Sequence, residues 1–118
     1  MLCVVLGLSI LPDFDSVAGF LFGDLGAYHN QFSHSLFAGL AAAGLVAGAA
    51  RLMGTGRAAA WFWMALASYE WHVLMDFFTR GRGVRLFWPL VDRRFGSPVP
   101  LFYGLRWSEG WISPYHLI

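Results

Sequence analysis

The sequence has few charged side chains, no lysine and a single cysteine. Charged residues make up 13% of the 118 residues, which is about half of the roughly 25% found in typical soluble domains. Hydrophobic residues make up 58%, and this figure excludes the 14 glycines. Because so little charge cannot cover a soluble surface, the composition predicts one membrane-embedded domain, residues 1–118, with the lipid bilayer as its partner.

The missing residue types also exclude several functions. Cys3 alone cannot form an intramolecular disulfide or a cysteine-based zinc site, so a bound metal would need His, Asp, Glu or water. The net charge of +1 provides no broad basic surface, and we therefore expect no nucleic-acid partner. The sequence has no Gly-rich phosphate loop, G-x-S-x-G turn or H-E-x-x-H motif, so a serine hydrolase is not expected.

Three apolar segments follow one another along the chain. Residues 1–11 form a short segment that ends at Pro12, so we expect the first helix to be incomplete in this sequence. Residues 36–50 carry no charge, and with the residues before them they approach the roughly 17–25 needed to span a bilayer. Residues 58–78 form the third segment. The sequence thus predicts an all-α membrane protein with three apolar helices.

The remaining residues, 84–118, are aromatic and contain four of the five prolines. This pattern predicts an irregular segment at the membrane interface, where Trp and Tyr are favoured. Within the second segment, Gly44 and Gly48 have the G-x-x-x-G spacing that permits close helix approach. Five arginines lie between residues 80 and 94, against two in the turn after the second segment. Positive-inside counting therefore favours a cytoplasmic site face, at the inner membrane of a bacterial cell.

Carboxylate and imidazole side chains form three small groups in this apolar chain. If the segments are successive antiparallel helices, the three groups lie on one side of the membrane. Such side chains bind Zn²⁺, and ionisable groups are costly in apolar segments. A metal site at the membrane surface is therefore the first hypothesis. Its candidate ligands are Asp13, Asp15, His29, His34, His72 and Asp76.

Other interpretations of these groups remain open. His72 and Asp76 lie at i and i+4, and they would also fit a single hydrogen bond within one helix. Asp13 and Asp15 would also fit a turn followed by a helix cap. Glu70 lies about 200° around the helix from His72, so we expect it to face elsewhere.

Four motifs follow one another along the chain. They are Leu-Pro-Asp-Phe-Asp-Ser at 11–16, His-Asn-Gln-Phe-Ser-His-Ser-Leu at 29–36, His-Val-Leu-Met-Asp-Phe-Phe-Thr at 72–79, and Gly-Val-Arg-Leu-Phe-Trp-Pro at 83–89 with Asp-Arg-Arg-Phe at 92–95. Together these motifs resemble the YdjM-like family of membrane-bound, predicted metal-dependent hydrolases, and the resemblance covers about residues 8 to 96. The sequence departs from the family at Asn30-Gln31, where Arg-Gly is usual, and at Ser33, where Thr is usual.

The resemblance implies a hydrolase that uses a divalent metal ion, expected to be zinc, held by the six candidate ligands. It further implies that Asp15 or Asp76 ligates the metal or acts as a general base. Ser35 and Thr79 would form hydrogen bonds with the ligand side chains without contacting the metal themselves. A phospholipid or other phosphoester reached from the interface is the expected substrate class. The main alternative is a non-catalytic membrane protein in which a His/Asp network binds metal structurally or stabilises helix packing. A transporter is less favoured, because the polar groups cluster on one face.

Overall fold

A computed structural model describes residues 2–15, 17, 21 and 32–102 of the chain, and the regular structure within them is helical. The described part contains three α-helices, one short 3₁₀-helix and no strand. Two isolated β-bridges join residues after the third helix, Thr79 with Phe102 and Val84 with Phe95. The predicted all-α fold with three helices is confirmed for these residues. Within the predicted irregular tail, residues 84–102 form no helix and no strand, while residues 103–118 lie outside the described part.

The helices begin and end at residues whose chemistry sets the boundaries. Helix α1 spans Leu2–Ile10 and is followed by the 3₁₀-helix Leu11–Phe14. Pro12 lies at the start of this 3₁₀-helix, where its missing N–H ends the α-helical hydrogen bonding. Helix α2 spans Leu36–Leu52, and helix α3 spans Ala58–Phe77.

Helix α2 has a defined cap at each end. Ser35 precedes it with extended backbone, and the Ser35 hydroxyl accepts a hydrogen bond of 3.2 Å from the Ala38 N–H. This is the usual way in which a serine satisfies an N–H at a helix start. At the other end, Gly54 adopts a positive φ of 68°, a conformation that glycine tolerates without strain.

Small residues let the three helices pack closely against one another. Leu8 of α1, Ala43 of α2 and Ala65 of α3 are buried together in one cluster. A second cluster contains Tyr69 and Val73 of α3 with Val84 from the segment that follows α3. The second cluster lies next to the polar residues described below, so apolar packing fixes the position of that segment beside them.

The tightest contact between α2 and α3 is at Gly39. A Cβ atom built at Gly39 would overlap the Glu70 carboxyl group and would lie 3.1 Å from Cδ1 of Tyr69. At Gly44 and Gly48, no atom of the described residues lies within 4 Å of such a Cβ. The G-x-x-x-G pair therefore makes no close helix contact with this part of the chain.

No helix among the described residues is both long enough and apolar enough to cross a bilayer. Nine residues in α1 correspond to about 14 Å and 17 residues in α2 to about 26 Å, against a hydrocarbon core of about 30 Å. Helix α3 has 20 residues, but they include Glu70, His72 and Asp76. The prediction of three membrane-crossing helices is thus not met by the described helices.

Candidate metal centre

Three helical elements bring distant parts of the sequence together at one end of the structure. The 3₁₀-helix carries Asp13, the residue pair before α2 contains His34, and the last turns of α3 carry His72 and Asp76. His34 is completely buried, whereas the side chain of Asp13 is 42% exposed. The cluster therefore has a buried side at His34 and an accessible side at Asp13.

The four side chains form a ring in which imidazole nitrogens alternate with carboxylate oxygens. His34 Nε2 lies 3.6 Å from Asp13 Oδ1 and 3.0 Å from Asp76 Oδ2. His72 Nε2 lies 3.2 Å from Asp13 Oδ1 and 3.6 Å from Asp76 Oδ2. All four atoms lie within 4.8 Å of one another. The four donor atoms thus surround one point in space.

Four of the six separations among these donor atoms are close to those around a tetrahedral metal ion. Zinc bonds of about 2.0–2.1 Å to nitrogen and oxygen place neighbouring donor atoms about 3.3 Å apart. The four measured contacts range from 3.0 to 3.6 Å. The Nε2 atom of His72 and the Oδ2 atom of Asp76 are also buried, and their partners at 3.0–3.6 Å are other members of the cluster. Buried polar atoms of this kind need a partner, and a metal ion would provide one. This His/Asp cluster can hold a metal ion.

Asp15 contacts the opposite nitrogen of the His34 ring. Its Oδ2 atom lies 3.3 Å from His34 Nδ1 and accepts a hydrogen bond of 2.7 Å from the Ser33 hydroxyl. A carboxylate at Nδ1 favours the tautomer that carries its proton there, and this tautomer leaves the Nε2 lone pair free to bind a metal. The geometry therefore places Asp15 behind His34 and outside the ring of four donor atoms.

Tyr69 supports this arrangement from α3. Its hydroxyl donates a hydrogen bond of 2.7 Å to the carbonyl oxygen of Ser33, and its ring is buried. Sequence reasoning did not assign Ser33 or Tyr69 to the site. Ser33 could have been noticed because it neighbours His34, but Tyr69 reads as one more aromatic residue of an apolar helix.

The carboxylates hold protons on both histidines of the metal-free cluster. Burial lowers the pKa of His34, but hydrogen bonds with Asp13, Asp15 and Asp76 outweigh burial and raise this pKa to about 10. Hydrogen bonds with Asp13 and Asp76 likewise raise the pKa of His72 to about 9, against a smaller opposing effect of burial. Burial raises the pKa of Asp76, yet the two histidines outweigh it and lower that pKa to about 2.

These pKa values mean that a divalent ion binding to the cluster displaces two protons, which carry the same total charge as the ion. Without metal at neutral pH, two imidazolium groups face the carboxylates of Asp13 and Asp76. A divalent cation binds neutral imidazoles and thus replaces two protons. The cluster therefore has the same total charge in the metal-free and the metal-bound state, and no further acidic group is needed to balance the charge of the ion.

A family model for the YdjM inner membrane protein matches residues 1–114. The chain belongs to the YdjM inner membrane protein family. No curated protein and no solved structure matches the chain significantly. The YdjM name implies an association with the inner membrane, and the match includes all residues of the His/Asp cluster. The resemblance found from the sequence motifs is confirmed.

The other residues predicted for the YdjM-family site have different surroundings. The Ser35 hydroxyl donates to Phe32 O and caps α2. The Thr79 hydroxyl donates to Met75 O at 2.8 Å. Both hydroxyls therefore bond backbone groups, and their predicted hydrogen bonds to ligand side chains are absent from the described contacts. His29, the remaining predicted ligand, lies outside the described residues.

Glu70 faces away from the cluster, toward α2, as the helical spacing predicts. Its carboxyl oxygens are buried beside Gly39 and have no hydrogen-bond partner among the described residues. Burial raises the pKa of Glu70 to about 7, because an apolar environment disfavours the ionised form. Glu70 is therefore largely protonated in slightly acidic solution and is separate from the metal cluster.

Proposed function

We propose that this YdjM-family protein is a zinc-dependent hydrolase that acts on phosphoesters at the inner membrane surface. The observation that carries the proposal is the ring of His34, Asp13, His72 and Asp76, whose neighbouring donor atoms are 3.0–3.6 Å apart. Two histidines and two carboxylates form a ligand set suited to zinc.

The four residues take different roles because their exposure differs. His34 is fully buried and Asp76 is mostly buried, so these side chains hold the ion from the protein side together with His72. Asp13, with 42% of its side chain exposed, lies on the side from which a substrate arrives. We assign Asp13 to accept the proton of the attacking water, because three protein ligands would leave the fourth position of a tetrahedral zinc ion open for that water.

The family resemblance implies that Asp15 or Asp76 either ligates the metal or acts as a general base. We instead assign Asp15 to orient His34, because its carboxylate contacts Nδ1 and its side chain is only 4% exposed. Such a carboxylate fixes the imidazole and strengthens its metal bond. We assign Asp76 as a ligand, because its Oδ2 atom lies between the Nε2 atoms of His34 and His72.

A divalent ion bound at this site would act as a Lewis acid and would lower the pKa of a bound water, and both effects promote phosphoester hydrolysis at neutral pH. The chain's own residues orient the histidines, exclude water from the buried side and leave the Asp13 side open. The proposed substrate class is a phospholipid or another phosphoester that is reached from the interface.

Exposed apolar side chains support the membrane location. Leu2, Leu6 and Ile10 follow one face of α1 and are exposed, and Trp63 and Trp71 are exposed on α3. Contiguous exposed apolar surface typically marks a membrane or protein contact. Residues 80–94, with their five arginines, directly follow the end of α3 that carries His72 and Asp76, so we propose that this end faces the cytoplasm.

A structural metal site is the second candidate function. The cluster joins the 3₁₀-helix, the start of α2 and the end of α3, so an ion there would fasten three elements together. A bound ion that raises the melting temperature, combined with no turnover of any phosphoester, would favour this alternative.

The deciding experiment is elemental analysis of the detergent-purified protein, followed by a phosphoester hydrolysis screen. We expect about one zinc ion per chain in the parent and none in His34→Ala/His72→Ala. Asp92→Asn is the matched control, because Asp92 is an exposed carboxylate that pairs with Arg85. This control should keep its zinc and its activity.

Asp13→Asn and Asp76→Asn separate the proposed roles. If Asp13 accepts the proton, Asp13→Asn retains zinc and loses hydrolysis, whereas Asp76→Asn loses both. A parent protein that binds no divalent metal after reconstitution would refute the proposed function. A parent that binds zinc but cleaves no phosphoester would leave the structural site as the better account.

A further inference from the structure

One face of helix α3 carries three polar side chains that are all directed toward the metal cluster or its neighbours. Tyr69, His72 and Asp76 are spaced i, i+3 and i+7, so they lie on the same side of the helix. His72 and Asp76 belong to the cluster. The Tyr69 hydroxyl instead donates a hydrogen bond of 2.7 Å to the carbonyl oxygen of Ser33, which lies 36 residues earlier in the chain. The same helix face therefore carries two members of the cluster and a contact to the residue before His34.

The Tyr69 side chain is closely packed, so its hydroxyl has a fixed position. The residue is 3% exposed and belongs to the second apolar cluster. On the side of α2, a Cβ atom at Gly39 would lie only 3.1 Å from Cδ1 of Tyr69. Burial, together with the charges of Glu70 and Asp15, raises the pKa of Tyr69 to about 12. The hydroxyl therefore keeps its proton at neutral pH and remains a hydrogen-bond donor.

The bond from Tyr69 acts on the backbone of His34. A peptide group is planar, so the Ser33 carbonyl oxygen and the Cα atom of His34 belong to one rigid unit. On the other side of His34, the Ser35 hydroxyl donates to Phe32 O at 2.9 Å and caps α2. The backbone that carries the His34 imidazole is thus held by α3 before it and by the start of α2 after it.

The Ser33 side chain acts on the His34 ring itself. Its hydroxyl donates a hydrogen bond of 2.7 Å to Asp15 Oδ2 and lies 3.2 Å from His34 Nδ1. Asp15 Oδ2 lies 3.3 Å from the same nitrogen. A hydroxyl has one hydrogen, and here that hydrogen is directed to Asp15. Both oxygens therefore offer only lone pairs to Nδ1, so Nδ1 carries a hydrogen and Nε2 is the nitrogen that can bind a metal.

We propose that Tyr69 and Ser33 are positioning residues that hold His34 as an Nε2 ligand of the metal cluster. Tyr69 fixes the peptide that precedes His34, and the Ser33 hydroxyl fixes the tautomer of its ring. Neither side chain is among the donor atoms of the cluster. The proposal rests on the proposed function for the presence of a metal ion, and it deepens that function by naming the residues that set the affinity of the site.

The first test compares the zinc affinities of Tyr69→Phe and Ser33→Ala in detergent-purified protein. Ser68→Ala is the matched control, because it also removes an α3 hydroxyl that bonds a backbone carbonyl, Met64 O at 2.8 Å. Competition with a chromogenic chelator measures the affinity. We expect both test variants to bind zinc about tenfold more weakly, since groups that orient a ligand affect its metal bond. Ser68→Ala should bind zinc as the parent does.

NMR of the imidazole nitrogens in the zinc-loaded protein separates positioning from a general loosening of the fold. In the parent, His34 should show a hydrogen on Nδ1 and the metal on Nε2. In Tyr69→Phe and Ser33→Ala, the His34 signals should broaden or shift, while those of His72 stay close to their positions in the parent. Ser33→Thr retains a hydroxyl and should restore both the His34 signals and the zinc affinity.

A double-mutant cycle tests whether Tyr69 acts through His34. Asp15 contacts the His34 ring directly, so Tyr69→Phe and Asp15→Asn should disturb the same ligand. Their combined loss of zinc affinity should then be smaller than the product of the two separate losses. Ser68→Ala combined with Asp15→Asn should show no such coupling, and independent losses in both pairs would contradict a role through His34.

The proposal is overturned if both test variants bind zinc as the parent does, or if the His34 and His72 signals change equally. If Tyr69→Phe failed to fold, Ser33→Ala would decide alone, because this variant keeps the carbonyl that Tyr69 contacts. Failure of the hydrolase proposal would look different: the parent would bind zinc without turnover, while its affinity still depended on Tyr69 and Ser33. A parent that binds no metal would overturn both proposals.

Discussion

Asp15 and Asp76 contact His34 on opposite nitrogens of the same ring. Asp15 Oδ2 lies 3.3 Å from Nδ1, and Asp76 Oδ2 lies 3.0 Å from Nε2. The imidazole is therefore held between two carboxylates, one at each ring nitrogen. Two aspartates that read alike in the sequence thus occupy chemically different positions.

The first prediction concerns this difference. Asp15→Asn should still bind one zinc ion at saturation, with an affinity about 10- to 100-fold lower, because it weakens the orientation of His34. Asp76→Asn should lose the stoichiometric ion. Competition with a chromogenic chelator measures both. If Asp15→Asn lost its zinc completely, Asp15 would be a direct ligand, as the sequence motifs imply.

The second prediction concerns protons. His34 and His72 are protonated in the metal-free protein at pH 7.5, because their pKa values are raised to about 10 and about 9. Zinc must displace both protons, so binding should release about two protons per ion at this pH. The apparent affinity should rise with pH and level off above about pH 10.

Calorimetry in two buffers with different ionisation enthalpies measures this proton release.

The free energy of unfolding of the metal-free protein should fall as the pH rises, whereas the apparent zinc affinity should rise. The ion pairs of the raised histidines contribute fully below about pH 6.5 and are lost as the pH rises through about 9 to 10. Tight zinc binding without proton release would mean that the ion binds away from these histidines.

The third prediction separates two neighbouring serines. Ser35→Ala removes the N-cap of α2 and should lower the free energy of unfolding by about 1 kcal/mol, while zinc affinity stays near that of the parent. Ser33→Ala removes a hydrogen bond to Asp15 and should weaken zinc binding up to about tenfold. Each variant is the control for the other, with thermal melts and chelator competition as the measurements. A large loss of zinc affinity in Ser35→Ala would restore the role that the family resemblance implies.

The fourth prediction concerns Glu70. Its pKa is raised to about 7 in the folded protein, from an ordinary value of 4.5. A carboxyl whose pKa is raised by folding destabilises the fold when it ionises, so the penalty is absent below about pH 4.5 and complete above about pH 7. Glu70→Gln should therefore stabilise the protein at pH 8 by on the order of 1–2 kcal/mol.

Denaturant melts of Glu70→Gln and of the parent at pH 8 and at pH 4.5 test this prediction. The measurement at the lower pH is the internal control, because both side chains are neutral there and the difference should vanish. An equal effect at both pH values would show that the substitution acts through packing against Gly39 and not through charge.

Sequence reasoning identified much of the candidate site because ionisable side chains are energetically costly in apolar segments. The few that occur in this chain are therefore candidates for a functional role. Asp13, His34, His72 and Asp76 were all identified as candidates, since few other groups in the chain bind divalent metals. Sequence reasoning gave Asp15 the same role as Asp13, because spacing along the chain does not show which ring nitrogen a carboxylate meets. The spacing of Gly44 and Gly48 permits a close helix contact, but a close contact occurs at Gly39, because contact depends on which face each helix turns toward its neighbour.

The sequence by itself determined the helical fold, the family and the chemical class of the site. Composition, segment length and the identity of the ligand residues are local properties, and each can be read without coordinates. Only the tertiary structure decided which atoms meet. The 3₁₀-helix after Pro12, the capped start of α2 and the end of α3 converge through packing around Tyr69, Val73 and Val84. That convergence turns separate motifs into one ring of donor atoms, because distances between residues far apart in sequence are set by core packing.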